Sequence, residues 1–428
     1  MSSWLADDIL EARQRTLALV ADLTDEQLRV EPIPIVNPLD WEIGHVAYFQ
    51  ELFALRQVDG RASLRPDADR LFDSVAIAHD VRWDLPLPPR DELVAYLHQV
   101  RDAALAAAER GNLSREARYR HLLAVAHEDM HGEAFTYTRQ TMGFRAPKLP
   151  GPIVRPEDAG PLEGDAVVAG GTFMLGSALD DPFALDNERW AHPREVAPFR
   201  IALAAVSQGD FAAFVDDGSY DAESLWSEAG WAWRQETQAT KPRYWRRGDG
   251  WERRDFDRWV PLEPHRAMIH VSWYEAQAYC QWAERRLPTE LEWEVAAAAA
   301  CDDQGRILPG RKRRYPWGDA PPSPDRANLD ARALGCLDVG ALPEGDSAIG
   351  CRQMLGNNWE WCADTFGPYP GFFLGPYAEY SAPLFGSTKV LRGGAWPTRG
   401  RLVHNLWRNY YEPHRRDVWA GFRTCART

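Results

Sequence analysis

The segment His-Glu-Asp-Met-His at residues 127–131 places two imidazoles four residues apart. On a helix, residues at this spacing lie on one face, so His127 and His131 can reach a single metal ion. A third histidine, His45, ends the segment Trp-Glu-Ile-Gly-His at residues 41–45. Three convergent imidazoles without a thiolate are typical of catalytic metal sites that keep coordination positions open. The sequence therefore predicts a metal site made by His45, His127 and His131.

The same five residues also match the HExxH pattern of zinc proteases, in which the glutamate acts as the base. In those enzymes the third ligand usually follows the pattern, whereas His45 precedes it. A bare pair of histidines at this spacing can also belong to an ordinary helix. The upstream His45 and the segments of the second half favour the open metal site over both alternatives.

Four segments of the first 145 residues carry apolar side chains at helical spacing, which predicts a four-helix bundle. They are residues 5–23, a helix capped by Asn37 with Pro38 in its first position, residues 89–111, and a helix that begins at Ser114. His45 falls on the second helix, and His127 and His131 fall on the fourth. Facing helices of a bundle commonly build metal sites, so this arrangement suits the three histidines.

The chain has 428 residues, a formal net charge of −14 and 45% hydrophobic residues, as expected for a globular protein of more than one domain. The negative charge argues against binding to nucleic acid or to anionic membranes. The first residues lack the basic and apolar regions of a signal peptide, and no apolar run has the length of a membrane span. Six cysteines without a CxxC motif favour free thiols, so we expect a cytoplasmic protein.

A proline- and glycine-rich stretch predicts a linker at residues 146–165. It separates the bundle, which we place at residues 1–145, from a second domain at residues 166–428. The second domain has short strand-like runs, frequent turns and most of the 19 tryptophans of the chain. This texture predicts an α+β fold with long, irregular loops that are suited to carry function.

Seven segments of the second domain occur in the order of one known family. They are Gly-Gly-Thr-Phe-Met-Leu-Gly (170–176), Val-Ser-Trp-Tyr-Glu-Ala-Gln-Ala-Tyr-Cys (271–280), Arg-Leu-Pro-Thr-Glu-Leu-Glu-Trp-Glu (286–294), Tyr-Pro-Trp-Gly-Asp (315–319), Met-Leu-Gly-Asn-Asn-Trp-Glu-Trp (354–361), Val-Leu-Arg-Gly-Gly-Ala-Trp (390–396) and Gly-Phe-Arg (421–423). They resemble the formylglycine-generating-enzyme/sulfatase-modifying-factor domain, which has a C-type-lectin-like fold. The first 145 residues look like a DinB-like four-helix bundle.

This pair of domains resembles the non-haem iron synthases of ergothioneine biosynthesis and their relative, selenoneine synthase. The resemblance covers nearly the whole chain. It implies Fe(II) held by His45, His127 and His131, with dioxygen and hercynine, a trimethylated histidine, as substrates. It also implies a new bond from the imidazole carbon between the two nitrogens to sulfur or selenium.

The segment Arg-Asn-Tyr-Tyr-Glu-Pro at residues 408–413 matches the part of the family that holds hercynine. The resemblance implies that Asn409 binds this substrate and that Tyr410 faces its trimethylammonium group. An aromatic face binds such a cation without a hydrogen-bond donor. The alternative is that Tyr410 is an ordinary core aromatic.

Departures from the family pattern bear on the chalcogen donor. The sulfoxide synthases hold γ-glutamylcysteine with two arginines and an aspartate. The two arginines align with the region His79-Asp-Val-Arg82, and the aspartate aligns with Tyr411. Of these three charged residues, only Arg82 is retained. Met130 stands where those enzymes have a glutamine. A desolvated zwitterion needs paired charges, so the loss of charge beside Trp83 and Tyr411 favours a neutral selenosugar. The alternative is a sulfoxide synthase that uses γ-glutamylcysteine or cysteine.

The resemblance places the catalytic tyrosine in the loop at residues 365–380. Tyr369, Tyr377 and Tyr380 are the candidates, and their spacing does not choose among them. A phenol near the metal could donate a proton or a hydrogen atom, which would favour bond formation over simple thiol oxidation.

Two other functions are disfavoured. Formylglycine generation uses copper and a pair of cysteines, whereas residues 397–424 contain no cysteine and Cys425 stands alone. A lectin-like binding module would have no use for three convergent histidines.

Overall fold

The computed structural model describes residues 3–151, 153–154, 158–179, 181, 183–302, 304–310 and 312–427. The chain forms two compact units that divide between residues 151 and 152. We call them the helical unit and the mixed unit. Of the predicted linker, residues 152 and 155–157 lie outside the described part. Its later residues belong to the mixed unit, since the Val154 amide donates to the Arg332 carbonyl, and the Gly160 amide donates to Asp338.

The helical unit is built on four long helices, with short helices in the connections. The long helices are α1 (Ser3–Val20), α3 (Leu39–Gln50), α6 (Arg90–Glu109) and α7 (Arg115–Met142). The short ones are α2 (Asp25–Arg29), α4 (Gln57–Asp59) and α5 (Ala68–Phe72), with a π-helix at Glu51–Arg56 and a 3-10 turn at His79–Val81. Helix α1 packs on α6 and α7, and α3 packs on the same two helices. The four helices therefore enclose one core.

Local signals explain where α7 begins and ends. The Ser114 hydroxyl caps α7 by accepting a hydrogen bond from the Ala117 amide, and Gly143 ends the helix in the left-handed conformation that glycine adopts without strain. Helix α3 begins one residue later than the sequence predicts. Pro38 takes the N-cap position, and no side chain caps the helix. The predicted cap at Asn37 is wrong because its side chain instead accepts a hydrogen bond from Arg82.

The mixed unit has four helices and thirteen strands in its described residues. The helices are α8 (Gln208–Asp216), α9 (Glu228–Thr237), α10 (Trp273–Trp282) and α11 (Glu290–Ala298). Short 3-10 turns lie at Asp186–Glu188, Ser219–Asp221, Glu223–Leu225, Pro343–Gly345 and Ala382–Leu384. The strands are β1 (Asp165–Val168), β2 (Gly171–Leu175), β3 (His192–Val196), β4 (Phe199–Ala202), β5 (Trp245–Arg247), β6 (Trp251–Asp255), β7 (Arg258–Pro261), β8 (Arg285–Arg286), β9 (Trp359–Thr365), β10 (Lys389–Arg392), β11 (Asn409–Tyr411), β12 (Ala420–Gly421) and β13 (Cys425–Ala426).

These strands form four small sheets, ordered β1-β4-β13-β8, β11-β10-β9-β12, β2-β3 and β5-β6-β7. All pairs are antiparallel except β9 with β12. Four fully buried indoles, those of Trp293, Trp359, Trp361 and Trp396, fill the space between the short elements. Large aromatic side chains thus supply the core that such short strands could not build alone. The α+β class predicted from the sequence is confirmed.

The six cysteines are free thiols. None of the described helices is both long enough and apolar enough to cross a membrane.

Candidate metal centre

The helical unit brings the three predicted ligands together. His45 lies on α3, His127 and His131 lie one turn apart on α7, and one ring nitrogen from each falls within 4.8 Å of the others. The Nε2 atoms of His127 and His131 are 3.2 Å apart. His45 and His127 are buried, and His131 is partly buried. The cluster is therefore a compact set of three imidazoles at the centre of the bundle.

Hydrogen bonds fix which nitrogen of two rings points inward. His45 Nδ1 lies 2.8 Å from the Phe72 carbonyl oxygen, which can only accept, so this nitrogen carries the proton. His131 Nδ1 lies 2.5 Å from a carboxylate oxygen of Glu42 and donates to it in the same way. In both rings the lone pair is then on Nε2. Acceptors behind the ligand rings are the usual device that orients metal-binding histidines.

Aromatic rings stack on two of the imidazoles. The Trp41 indole stacks on His45 with 4.7 Å between centroids and 10° between planes. Phe49 stacks on His127 at 3.6 Å and 5°. Trp41 is four residues before His45 on α3, so helix geometry alone sets this contact.

Sequence reasoning missed Glu42, Phe72 and Gly44 as parts of this centre. A Cβ atom at Gly44 would lie 2.1 Å from the Phe72 ring, so only glycine lets α5 approach α3 this closely. That approach brings the Phe72 carbonyl to His45. Glu42 could have been found from the sequence, because it precedes His45 by three residues and so faces the same side of α3.

Burial favours the uncharged form of two of the three imidazoles. The pKa values of His45 and His127 are lowered well below the usual value, first by burial and then by the neighbouring His131. An uncharged imidazole is the form that binds a metal ion. The donor set, three neutral nitrogens with no thiolate, fits a first-row transition metal and leaves further coordination positions.

Glu128 does not face the histidine cluster. It is buried on the other side of α7, where its carboxylate accepts from Arg13 Nε at 2.8 Å and from the Thr16 hydroxyl at 2.8 Å. The glutamate of the HExxH pattern is therefore a structural ion-pair partner of α1. It cannot serve as the base that a zinc protease requires.

The residues of the helical unit that were predicted to bind the cosubstrate contact other residues of the same unit. The Arg82 guanidinium lies 4.0 Å over the Trp41 ring, and its Nη1 donates to Asn37 at 2.7 Å. His79 Nε2 is 2.7 Å from the Val36 carbonyl oxygen. The Trp83 indole donates to the Val30 carbonyl at 3.3 Å, and it meets His79 edge to face at 5.2 Å.

Asn409, Tyr410 and Tyr411 form β11 of the mixed unit, which pairs with β10 through Val390 opposite Tyr410. The Asn409 side chain accepts from the Tyr410 amide at 2.8 Å. Tyr410 is buried, stacks on Phe366 at 4.2 Å, and donates its phenol to the Tyr380 carbonyl. The Tyr411 ring lies 5.2 Å below the Arg415 guanidinium.

The three candidate tyrosines fall into two groups. Tyr377 and Tyr380 are partly buried and stack on each other at 5.3 Å. Tyr380 also meets Tyr410 edge to face at 5.6 Å. Tyr369 is buried apart from this pair, with the Arg408 guanidinium 4.0 Å over its ring.

Family models match both units. Residues 9–135 match the DinB superfamily, and residues 152–428 match the sulfatase-modifying factor enzyme 1-like domain. The formylglycine-generating enzyme of Streptomyces coelicolor is 32% identical over 61% of this chain and 85% of its own length. The predicted order of a DinB-like bundle followed by a formylglycine-generating-enzyme-like domain is confirmed.

Some relatives extend over both units. The hercynine oxygenase of Mycolicibacterium thermoresistibile is 39% identical, and the match covers 98% of this chain and 94% of that protein. The hercynine oxygenase of Mycolicibacterium smegmatis is 38% identical over 98% of this chain and 97% of that protein. Because both likenesses span nearly the whole of each chain, this protein belongs to the hercynine oxygenase family.

Proposed function

We propose that this protein is an Fe(II)- and dioxygen-dependent enzyme that joins the imidazole carbon of hercynine to the selenium of a selenosugar. Action on hercynine is supported by the full-length relatives, which are hercynine oxygenases. One observation supports the choice of a neutral selenium donor: the Arg82 guanidinium is bound by other residues of the helical unit.

Two guanidinium nitrogens of Arg82 donate hydrogen bonds to residues of the helical unit. Nη1 donates to Asn37, and Nη2 lies 3.3 Å from the Ile77 carbonyl oxygen. The guanidinium also stacks on Trp41, the ring that backs His45. An arginine held in this way orients a metal ligand, and it is a poor clamp for the carboxylate of a peptide. A neutral sugar needs no such clamp.

The aspartate that completes the family's charge clamp is replaced by Tyr411. The Arg415 guanidinium, which lies 5.2 Å from the Tyr411 ring, is already paired with Asp417 through Nε and Nη2, both at 2.7 Å. The sequence segment thus offers an aromatic face where the sulfur enzymes offer a charge. Stacking against such a face suits the ring of a sugar.

Three neutral imidazoles would hold the metal through the Nε2 atoms of His45 and His131 and through His127. When bound, iron supplies the redox chemistry of dioxygen and a positive charge that attracts a selenolate or a thiolate. A selenolate is already ionised at neutral pH, so the protein needs no base to activate it. The protein then has to position two substrates, which can provide a large part of the rate enhancement.

Tyr377 and Tyr380 are better candidates than Tyr369 for a catalytic phenol. Both are partly buried and stack on each other, and Tyr380 meets Tyr410, a neighbour of Asn409 in β11. The Tyr369 ring is covered by Arg408 on one face. Burial raises the pKa of both Tyr369 and Tyr380 above the usual value, so acidity does not separate these two phenols.

Sulfoxide formation with γ-glutamylcysteine or cysteine is the second candidate function. The observation that favours it is the identity of 39% to a hercynine oxygenase over nearly the full length of both chains. Both candidates share the iron site and hercynine, and they differ only in the donor.

The test is anaerobic reconstitution with Fe(II), followed by aeration with hercynine and one of three donors: selenoglucose, γ-glutamylcysteine or cysteine. Products are identified by mass spectrometry. We expect selenium transfer to hercynine with little sulfoxide. Efficient sulfoxide formation would overturn the donor assignment, and the absence of any product would overturn the action on hercynine.

Three single variants test the tyrosines in the same assay. Tyr377→Phe and Tyr380→Phe each remove one phenol from the aromatic pair, whereas Tyr369→Phe removes a phenol from the same loop but outside that pair. We expect turnover to fall in at least one member of the pair and to be retained in Tyr369→Phe. The reverse result would assign the role to Tyr369.

A further inference from the structure

We propose that Glu42 is a positioning residue that holds the ligand ring of His131 and supplies the negative charge that the metal centre lacks. The inference rests on the metal-binding part of the proposed function, and it does not depend on which substrates the metal serves.

The surroundings of Glu42 are unusual for a carboxylate. The residue is 1% exposed, and its Oε1 accepts from His131 Nδ1 at 2.5 Å. Its other oxygen, Oε2, is also buried, and it has no hydrogen-bond partner among the described residues. A buried carboxylate with a bare oxygen is strongly disfavoured unless a positive charge lies nearby.

The three ligand rings bring no charge of their own to a metal ion. An imidazole binds a metal ion through a nitrogen lone pair, and in that form the ring is uncharged. A divalent ion bound here would therefore keep both of its positive charges in a buried place. The Glu42 carboxylate accepts from Nδ1 of His131, and it would reduce the net charge of a loaded centre by one.

This arrangement has two consequences for binding. A carboxylate behind an imidazole raises the basicity of the ring, which strengthens its bond to the metal. It also fixes the ring plane, so less conformational freedom is lost when the ion binds. Removal of such a partner typically weakens metal binding by about 10- to 100-fold.

The experiment compares the affinity of the full chain for Fe(II), under anaerobic conditions, and for Zn(II), which is redox-inert. Both are measured by competition with a chelator. Glu42→Gln keeps the shape and removes the charge. Asp40→Asn is the matched control, since Asp40 lies on the same helix and loses the same charge but pairs with Arg29 and touches no ligand.

We expect Glu42→Gln to weaken both ions by about 10- to 100-fold and Asp40→Asn to stay within about 3-fold of the unmodified chain. Equal weakening in the two variants would mean that only general charge matters, and no weakening in Glu42→Gln would mean that the contact has no role. Either result overturns the proposal.

If Glu42→Gln fails to fold, as judged by circular dichroism, Glu42→Asp carries the test. That variant keeps the charge but draws it back from His131 by one methylene, so it should bind both ions more weakly than the unmodified chain; equal affinity would overturn the proposal. The outcome is separable from the proposed function. A charge effect on metal binding without conversion of hercynine would support Glu42 and reject the function, and conversion without the charge effect would do the opposite.

Discussion

Buried carboxylates are compensated in two different ways in the two units. In the mixed unit, Glu290 accepts from Arg392 Nη1 at 2.8 Å and from Arg408 at 2.6 Å and 2.9 Å. Glu294 accepts there from Lys312 and Arg392, both at 2.8 Å. In the helical unit, the imidazole of His131 is the one hydrogen-bond partner of the Glu42 carboxylate among the described residues.

The comparison distinguishes carboxylates that stabilise the fold from a carboxylate that serves a bound ion. The cluster of Glu290, Glu294, Arg392, Arg408 and Lys312 satisfies its carboxylates within the protein, so it needs nothing from outside. Glu42 is satisfied only when a positive ion joins the centre. Glu128 shows that the helical unit can also pair a carboxylate fully, since Arg13 binds both of its oxygens on the far side of α7.

The largest effect should come from the ligands themselves. His127→Ala leaves two imidazoles, and a single protein ligand contributes about 3–4 kcal/mol to a tightly bound ion, so affinity should fall by about 100- to 1,000-fold. Stoichiometric Fe(II) binding and turnover should both be lost, while circular dichroism of the metal-free protein stays unchanged. His98→Ala, which changes a histidine outside the cluster, is the control. Full metal binding by His127→Ala would show that the centre lies elsewhere.

A substitution in the ion-paired cluster of the mixed unit should lower the unfolding free energy and leave metal binding unchanged. Glu290→Gln removes the charge between Arg392 and Arg408 and leaves both guanidinium groups buried without full compensation. Breaking a buried pair in this way costs about 3–5 kcal/mol of unfolding free energy. Denaturant titration measures the loss, and the metal affinity of the folded fraction should not change. A variant of normal stability with weakened metal binding would contradict the assignment of this cluster as structural.

Glu188 represents a third way to satisfy a buried carboxyl group, which is to keep its proton. Its Oε2 accepts from the Leu185 amide at 2.8 Å, whereas Oε1 is 3.7 Å from His404 Nε2, too far for a hydrogen bond. Burial is the first cause of the rise of its pKa to about 8. The neutral form therefore prevails in the folded protein at neutral pH.

The raised pKa makes stability depend on pH. The folded state keeps this proton between pH 4.5 and pH 8, where the unfolded state releases it. The contribution is thus complete below pH 4.5 and is lost as pH rises through about 8. Glu188→Gln cannot ionise, so between pH 5.5 and 8 it should lose less stability than the unmodified chain, by on the order of 3 kcal/mol. Parallel pH profiles from denaturant titration would contradict the raised pKa.

Sequence reasoning succeeded where local geometry decides the outcome. The spacing of His127 and His131 is a property of one helix, and the Ser114 cap of α7 is a property of four consecutive residues. It failed at Asn37, because the arginine that takes this side chain lies 45 residues away in the sequence. It could not choose among Tyr369, Tyr377 and Tyr380, because irregular loops have no period from which a side chain's direction follows.

The smallest effect should come from a carboxylate that has a good partner but lies at the surface. Glu252 accepts from Arg246 Nε at 2.6 Å, closer than many of the buried pairs, yet the two side chains are 28% and 48% exposed. Water already solvates both charges, so Glu252→Gln should change the unfolding free energy by less than about 1 kcal/mol. The same denaturant titration that reports on Glu290→Gln measures it. If Glu252→Gln and Glu290→Gln lost similar amounts of unfolding free energy, distance alone would set the strength of these ion pairs. Burial would then not explain the difference between the structural cluster and Glu42.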